Sequence, residues 1–184
     1  MWKDPKFFSI FKEDVNINAV PDRILLFTTE VLLRQLAMSG KVSQDGTHRV
    51  ATKYYEQLFV TMVKVGDKWI PAVKALLPYH SKKSCRIQNE MIRYAIKKGG
   101  LILRMTSIMS DFEVAIQTAA MEAFNGVEMR GCRFHYGQAV FRHAEREFGK
   151  TLKSSKKFAQ LVRYCLALPI VLQDELQSVI DEIK

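Results

Sequence analysis

Two acidic residues, Asp45 and Asp111, stand where short apolar stretches of the sequence end, and 65 residues separate them. Two carboxylates held close together repel each other, and a hard divalent cation such as Mg²⁺ relieves that repulsion. Metal ions bound in this way can activate a nucleophile and stabilise the leaving oxygen of a phosphodiester. The two residues are therefore a candidate metal site for phosphodiester chemistry, provided that the fold brings them together.

Each aspartate also has a simpler interpretation. Asp45-Gly46 is a common turn sequence. Ser110-Asp-Phe-Glu113 has the form of a helix capping box, in which Asp111 would merely lie at a helix N-terminus. Only the order of the predicted elements can favour the metal site over these alternatives.

Cys132 and His135 form a second candidate pair, with the spacing Cys-x-x-His. A structural zinc site needs four ligands, and no second pair in the chain has suitable spacing. We therefore expect no structural zinc and no cysteine nucleophile here. The simpler interpretation is a buried cysteine at a strand end followed by a capping histidine. Cys85 and Cys165 are predicted to be core residues.

Apolar periodicity predicts an alternation of strands and helices. Residues 54–65 are apolar on both faces, which favours a central strand covered on two sides. Gly66-Asp67 predicts a hairpin turn, and Pro71 predicts an edge strand after it. Strands are predicted at 41–45, 54–65, 69–77, 101–109 and 127–134, with 24–27 either a strand or a helix start. Helices are predicted at 29–36, 83–98, 113–124, 136–148, 156–167 and 171–183, with a basic connector at 150–157.

This order of elements is that of a ribonuclease-H-like fold: a mixed five-stranded α/β sheet flanked by helices, with further C-terminal helices. In that arrangement the first and fourth strands lie side by side, which would bring Asp45 and Asp111 together. The domain prediction is an N-terminal segment at 1–22 that packs by its aromatic residues, a core at 23–150 and C-terminal helices at 151–184.

Composition and charge narrow the class of protein. The chain has 184 residues, 48% of them apolar and 26% charged, as in a soluble globular protein. No apolar run approaches the roughly 20 residues that span a bilayer, so we expect no membrane partner. The N-terminus lacks the pattern of a secretory signal, and three scattered cysteines favour a reducing compartment.

The net charge of +9 lies entirely in residues 41–110, which carry thirteen basic and four acidic side chains. A basic field of this kind favours a polyanionic partner, and nucleic acid is the leading candidate. The alternative is an ordinary solvated surface rich in lysine. The residues predicted to contact DNA phosphates are Lys53, Lys74, Lys82, Lys83 and Arg86.

Several motifs, in order, resemble the transposase domain of Mutator-like elements (MULEs), and the resemblance runs from about residue 23 to residue 168. It implies a DDE transposase core with a ribonuclease-H-like fold, in which Asp45 and Asp111 are catalytic metal ligands for Mg²⁺ or Mn²⁺. It also implies DNA as substrate and a nuclear location. Cys132 and His135 match the C/D-x-x-H signature of the family. The motifs are Asp45-Gly-Thr47, Tyr55-Glu-Gln-Leu-Phe59, Trp69-Ile-Pro-Ala-Val-Lys-Ala-Leu-Leu77, Ser110-Asp-Phe-Glu-Val-Ala115 and Gly131-Cys-Arg-Phe-His-Tyr-Gly-Gln-Ala-Val-Phe-Arg142.

The sequence departs from the family pattern at several points. His48 stands where the family has an aromatic residue, and Cys85 where tyrosine is common. The third catalytic residue of the family is a glutamate beyond a helical insertion, and we expect residues 151–184 to be the start of that insertion. The flanking zinc-finger modules are also absent, so we expect either a fragment or a degenerate, domesticated copy.

These departures leave two alternatives to an active transposase core. One is a non-catalytic DNA-binding module of the same fold. The other is a ribonuclease-H-like nuclease that completes its site with Glu145 or Glu147. Self-association, or the missing flanking domains, would supply further partners in each case.

Overall fold

A computed structural model of the chain describes residues 23–47 and 55–183. The chain divides into two compact units, with the boundary between Arg130 and Gly131. The N-terminal segment predicted at 1–22 lies outside the described residues, and so do His48 and Lys53.

The first unit has an α/β fold, and its described residues form six strands and three helices. In chain order these are β1 (Leu25–Phe27), α1 (Glu30–Met38), β2 (Lys41–Thr47), β3 (Gln57–Val65), β4 (Lys68–Leu77), α2 (Lys82–Lys98), β5 (Ser107–Ser110), α3 (Val114–Ala123) and β6 (Glu128–Gly131).

The strands form one open, mixed sheet in the order β1-β4-β3-β2-β5-β6. β3 pairs antiparallel with β2 and β4, whereas β2 pairs parallel with β5. The prediction of five strands is wrong by one, because β1 joins the sheet beside β4. Its apolar run is too short for periodicity to distinguish a strand from the start of a helix.

The prediction of an edge strand from Pro71 is also corrected. β1 pairs with residues 74–76, so β4 is internal along that stretch. Pro71 lies outside the stretch, beside an irregularity in the β3–β4 pairing between Thr61 and Met62. Proline has no N–H to donate to a ladder, and the sheet places it where β1 does not reach.

One face of the sheet carries the core of the first unit. Val42, Val63 and Ile108 are paired neighbours on three strands and therefore share that face. Helices α1, α2 and α3 all contribute to the same apolar cluster. Burying a side chain such as Ile92 completely contributes about 1.5–3 kcal/mol. The helical members of the cluster are Leu33, Leu36, Ala37, Ile92, Ala95, Ile96, Ala120 and Ala123, and Phe124 joins it just after α3.

Strand β3 is fully covered on that face alone. From Gln57 to Val63 its residues alternate between buried and half-buried, with Phe59 and Thr61 among the buried ones. The predicted cover on both faces is therefore complete on one face and partial on the other, and the strand does lie inside the sheet. Its apolar residues on the second face, such as Val60, remain half-buried.

Residues 101–109 do not form one strand as predicted, because β5 begins only at Ser107. Gly99 and Gly100 end α2 as expected, and Gly100 adopts the left-handed φ of +67° that glycine tolerates. The following segment bonds to the end of α1 instead of a strand: the Arg104 N–H donates to the Ala37 carbonyl at 2.8 Å. Alternate residues there pack on the core, while Ile102 is exposed.

The second unit is helical over its described residues. It contains α4 (Arg133–Ser154), α5 (Lys156–Ala167), a 3-10 turn (Leu168–Ile170) and α6 (Leu176–Ile183). The predicted connector at 150–157 is wrong, because α4 continues to Ser154 and α5 follows after one residue. That residue, Ser155, caps α5 by accepting a hydrogen bond from the Phe158 N–H at 3.3 Å. The domain boundary predicted at 150/151 falls inside α4.

Candidate functional site

Asp45 and Asp111 come to the same end of two neighbouring parallel strands. The β2–β5 register pairs Lys41 with Ser107, Val42 with Ile108 and Ser43 with Met109. Each aspartate stands two residues beyond the last of these pairs, so continuing the register aligns Asp45 with Asp111. Neighbouring strands lie roughly 4.8 Å apart, which is the spacing at which two carboxylates can share a cation.

Asp45 lies inside a strand and not in a turn. It is paired with Val60, and Gly46 is paired with Phe59. The turn interpretation of Asp45-Gly46 is therefore wrong. The neighbouring Gln44 is buried in the core, and strand alternation places Asp45 on the opposite face of the sheet, where it is half-buried.

Lys74 lies on the same sheet face as Asp45. Val60 is the paired neighbour of Asp45 on one side and of Lys74 on the other, so the three residues form one row across β2, β3 and β4. Lys74 is exposed and stands two strands away from Asp45, roughly 10 Å along the sheet. A cation at that distance can hold a neighbouring phosphate without neutralising the aspartate.

Gly46 is required by a close approach of Gln57. A methyl group on Gly46 would lie 1.7 Å from Gln57 Nε2. The Gln57 side chain is completely buried, and neither atom of its amide has a hydrogen-bond partner in the structure. The backbone beside Asp45 is therefore packed under a polar side chain that cannot easily move into water.

Asp111 sits in a tight turn between β5 and α3. Its Oδ1 accepts a hydrogen bond from the Glu113 N–H at 3.2 Å, and its carbonyl accepts one from Gln117 Nε2 at 2.9 Å. Ser110 and Glu113 do not form the capping box, because the N-cap of α3 is Glu113 and its side chain makes no capping bond. Asp111 does lie just before α3, as the simpler interpretation expected. The turn holds the Asp111 backbone at the strand end.

The structure adds a histidine–carboxylate pair that sequence reasoning missed. The ring atom His80 Nε2 lies 2.7 Å from Glu113 Oε2. The backbone N–H of His80 donates a hydrogen bond to Glu56 Oε2 at 2.8 Å. These bonds tie the loop before α2 to the start of β3 and to the turn that holds Asp111. His80 and Glu113 are 33 positions apart in the chain, and no local pattern signals their contact.

Cys85 is fully buried on α2, as predicted for a core residue. Burial raises the pKa of its thiol to about 12, and the negative charges of Glu113 and Asp111 add to the effect. The thiol is therefore protonated at neutral pH and cannot act as a nucleophile. The negative charges of Glu113 and Asp111 therefore act on a side chain near the start of α2.

The donor set at this end of the sheet suits Mg²⁺ because it consists of carboxylate oxygens. Asp45 and Asp111 are the residues that would hold the ion. Within residues 23–47 and 55–183 there is no group of three or more His, Cys, Asp or Glu side chains arranged to hold a metal.

Cys132 and His135 lie where β6 passes into α4. The Cys132 carbonyl accepts a hydrogen bond from the Tyr136 N–H at 3.0 Å, which places Cys132 immediately before the first residue of α4. The His135 ring stands edge-on to Phe134, with 5.5 Å between the ring centroids. The expectation of no zinc at this position stays a prediction. Cys165, the other predicted core cysteine, is half-buried.

The predicted DNA-contacting residues occupy two surfaces. Lys74 lies on the sheet face of Asp45, whereas Lys82, Lys83 and Arg86 lie on α2, which covers the opposite face. Lys82 Nζ pairs with Glu122 at 2.6 Å, and Arg86 pairs with Glu90 at 2.9 Å. Lys83 is exposed.

No protein-family model matches the chain, and no curated protein matches it in sequence. Over the part of the chain that the structure describes, no helix is both long enough and apolar enough to cross a membrane.

Proposed function

We propose that the chain carries a ribonuclease-H-like core of the DDE transposase type found in Mutator-like elements, acting on DNA in the nucleus. The observation that carries the proposal is the parallel register of β2 and β5, whose continuation by two residues would align Asp45 with Asp111. In a sheet where these strands were not neighbours, the two acids would have no shared chemistry.

The sheet order supports the fold assignment. Without β1, the order is β4-β3-β2-β5-β6, with β2, β3 and β4 antiparallel and β5 parallel to β2. This is the five-stranded arrangement expected of the family. Helix α2 lies in the connection between β4 and β5, packed on the core face.

Each part of the proposed site has a distinct task. Asp45 and Asp111 would hold Mg²⁺, which when bound would supply Lewis-acid chemistry for a phosphodiester. Strand pairing orients Asp45, and the turn to Glu113 orients Asp111. Lys74, on the face of Asp45, would position the phosphate of the substrate.

Two carboxylates hold a second cation poorly, so we expect little strand cleavage from residues 1–184 alone. Glu145 and Glu147, the alternative third acids, both lie on α4 in the second unit. Glu147 is paired with Arg146 at 2.8 Å. DNA binding should still occur and should weaken steeply as salt rises, because the contacts are to phosphates.

The test measures Mg²⁺ or Mn²⁺ binding by calorimetry and DNA binding by fluorescence anisotropy, with cleavage of a labelled duplex as the third readout. Asp45→Asn and Asp111→Asn should each abolish metal binding and leave DNA binding unchanged or slightly tighter. Asp67→Asn is the matched control, since Asp67 is exposed in the β3–β4 turn.

Three results would redirect the proposal. Metal binding that survives both asparagine variants would remove Asp45 and Asp111 from the site. DNA binding without any metal binding would favour the non-catalytic DNA-binding module. Robust metal-dependent cleavage, abolished in both variants, would show that a third acid inside the chain completes a nuclease, and Glu145→Gln and Glu147→Gln would identify it.

A further inference from the structure

A surface groove of about 340 Å³ runs between the C-terminal half of α2 and residues 101–103. Its apolar lining comes from Ile96, Leu101 and Leu103. Its volume is at the lower end of the roughly 300–1,000 Å³ typical of small-ligand sites. The groove belongs to the first unit and is separate from Asp45 and Asp111.

The rim of the groove is cationic. Arg93 and Lys97 are exposed, and neither has an acidic partner among the described residues. The one acidic lining residue, Glu90, already pairs with Arg86 at 2.9 Å. The charge that remains open to a ligand is therefore positive, which selects an anionic occupant.

An aromatic side chain completes the lining. Tyr94 is 44% exposed, and Lys98 Nζ lies 5.8 Å from the centre of its ring. An occupant that satisfies the whole groove needs a negative charge for the rim and a flat or apolar body for the floor and the tyrosine. A nucleotide unit combines a phosphate with an aromatic base, and single-stranded nucleic acid is bound by such a combination of basic and aromatic groups.

The groove continues the basic surface of α2. Lys83 occupies the first turn of the helix, and Arg93 and Lys97 occupy its last turns, while Arg86 between them is paired with Glu90. The distance from Lys83 to Lys97 is roughly 21 Å along the helix axis. A strand whose phosphates follow this helix would pass over the groove.

We propose that this groove binds one unpaired nucleotide of single-stranded DNA, with its phosphate at Arg93 and Lys97 and its base against Tyr94 and Leu103. The proposal rests on DNA as the partner in the proposed function but not on metal chemistry. It adds a binding site to the first unit and predicts a preference for single strands over duplexes at this position.

The experiment compares two anionic probes, a twelve-residue oligothymidylate and inorganic polyphosphate of equal charge, by anisotropy competition. Arg93→Gln and Lys97→Gln should weaken binding of both probes. Tyr94→Ala and Leu103→Ala should weaken oligothymidylate binding about fivefold or more, as expected for loss of a base contact, and leave polyphosphate binding unchanged. Arg163→Gln, an exposed arginine on α5, is the control and should leave both unchanged.

Each result that contradicts these expectations has its own interpretation. Unchanged oligothymidylate binding in both Tyr94→Ala and Leu103→Ala would overturn the groove while leaving DNA binding by the chain intact. Tighter binding of a twelve-residue Glu-Leu peptide than of the oligonucleotide would assign the groove to an acidic protein segment instead. Absence of DNA binding by the wild-type chain would refute the DNA partner and the groove together. Urea unfolding of Leu103→Ala and of the exposed Tyr94→Ala shows whether each variant is still folded. Weaker binding by a folded variant is then a loss of contact and not a loss of fold.

Discussion

Replacing Gly46 with alanine tests the packing beside Asp45 most directly. The added methyl carbon would lie 1.7 Å from Gln57 Nε2, 2.7 Å from Cδ and 3.3 Å from Cγ. All three atoms belong to a side chain with no exposed surface. The amide must therefore move within a packed interior, or β2 must shift away from β3.

The cost follows from overpacking. Inserting a methyl group into a filled core costs about 1–3 kcal/mol, and we expect Gly46→Ala to lower the free energy of unfolding by that amount. Gln57→Ala should cost less than most large-to-small core substitutions, because it also removes two buried amide atoms that have no hydrogen-bond partner. In the double variant the new methyl group meets open space, so the two effects should not add.

Urea unfolding followed by circular dichroism measures all three variants. The double variant should be more stable than the sum of the single effects by about 1–3 kcal/mol. Gly149→Ala is the matched control, because nothing lies within 4 Å of its new methyl carbon inside α4. That control should stabilise the chain by about 0.5–1 kcal/mol through helix propensity.

A Gly46→Ala variant within about 0.5 kcal/mol of wild type, a change typical of an unstrained surface site, would refute the close packing of Gln57 on Gly46. Additive single and double variants would refute it as well, since they would show that Gly46 and Gln57 do not contact each other. A loss of metal affinity in Gly46→Ala that Gln57→Ala reverses would connect this packing to Asp45.

Buried and paired groups elsewhere in the chain can be tested in the same way. The Cys85 thiol has an ordinary pKa of 9.0 in the unfolded chain and one of about 12 in the folded chain. Between these pH values the unfolded state binds fewer protons, so the free energy of unfolding should fall as pH rises above 9, by at most about 1.4 kcal/mol per pH unit. Unfolding curves of Cys85→Ala should lack this decrease with pH. Glu122 pairs with the Lys82 ammonium at 2.6 Å, and Glu122→Gln should free that ammonium for a phosphate. DNA binding should therefore become tighter and its salt dependence steeper. Unchanged anisotropy titrations would place Lys82 outside the interface. Gln44 Nε2 donates a hydrogen bond to the side-chain oxygen of Asn89 at 2.7 Å. Gln44→Leu should lower the free energy of unfolding by about 1–3 kcal/mol, because it leaves the buried Asn89 oxygen without this donor. Adding Asn89→Leu should recover part of that loss in the same unfolding assay.

The local sequence was sufficient for most elements of the fold. Apolar periodicity located α2 and α3 to within a residue or two, and Gly99-Gly100 marked the end of α2 correctly. The order of elements predicted that the strand ending near Asp45 lies beside the strand ending at Asp111, and the β2–β5 register agrees with that adjacency. The bounds of α2 and α3 depend on residues near one another in the chain, so a local pattern can encode them. The adjacency of β2 and β5 joins distant residues and followed instead from the order of the elements.

Tertiary structure decided the features that join distant residues. The segment 101–106 is apolar enough for a strand, yet Arg104 bonds to the end of α1, a partner that no period reveals. The same holds for His80 with Glu113 and for Gln57 over Gly46. Periodicity records which face of an element is apolar, but the partner of that face is chosen only when packing brings separate elements together. The sequence therefore singled out the two aspartates as candidates, whereas the contacts around them came only from the fold.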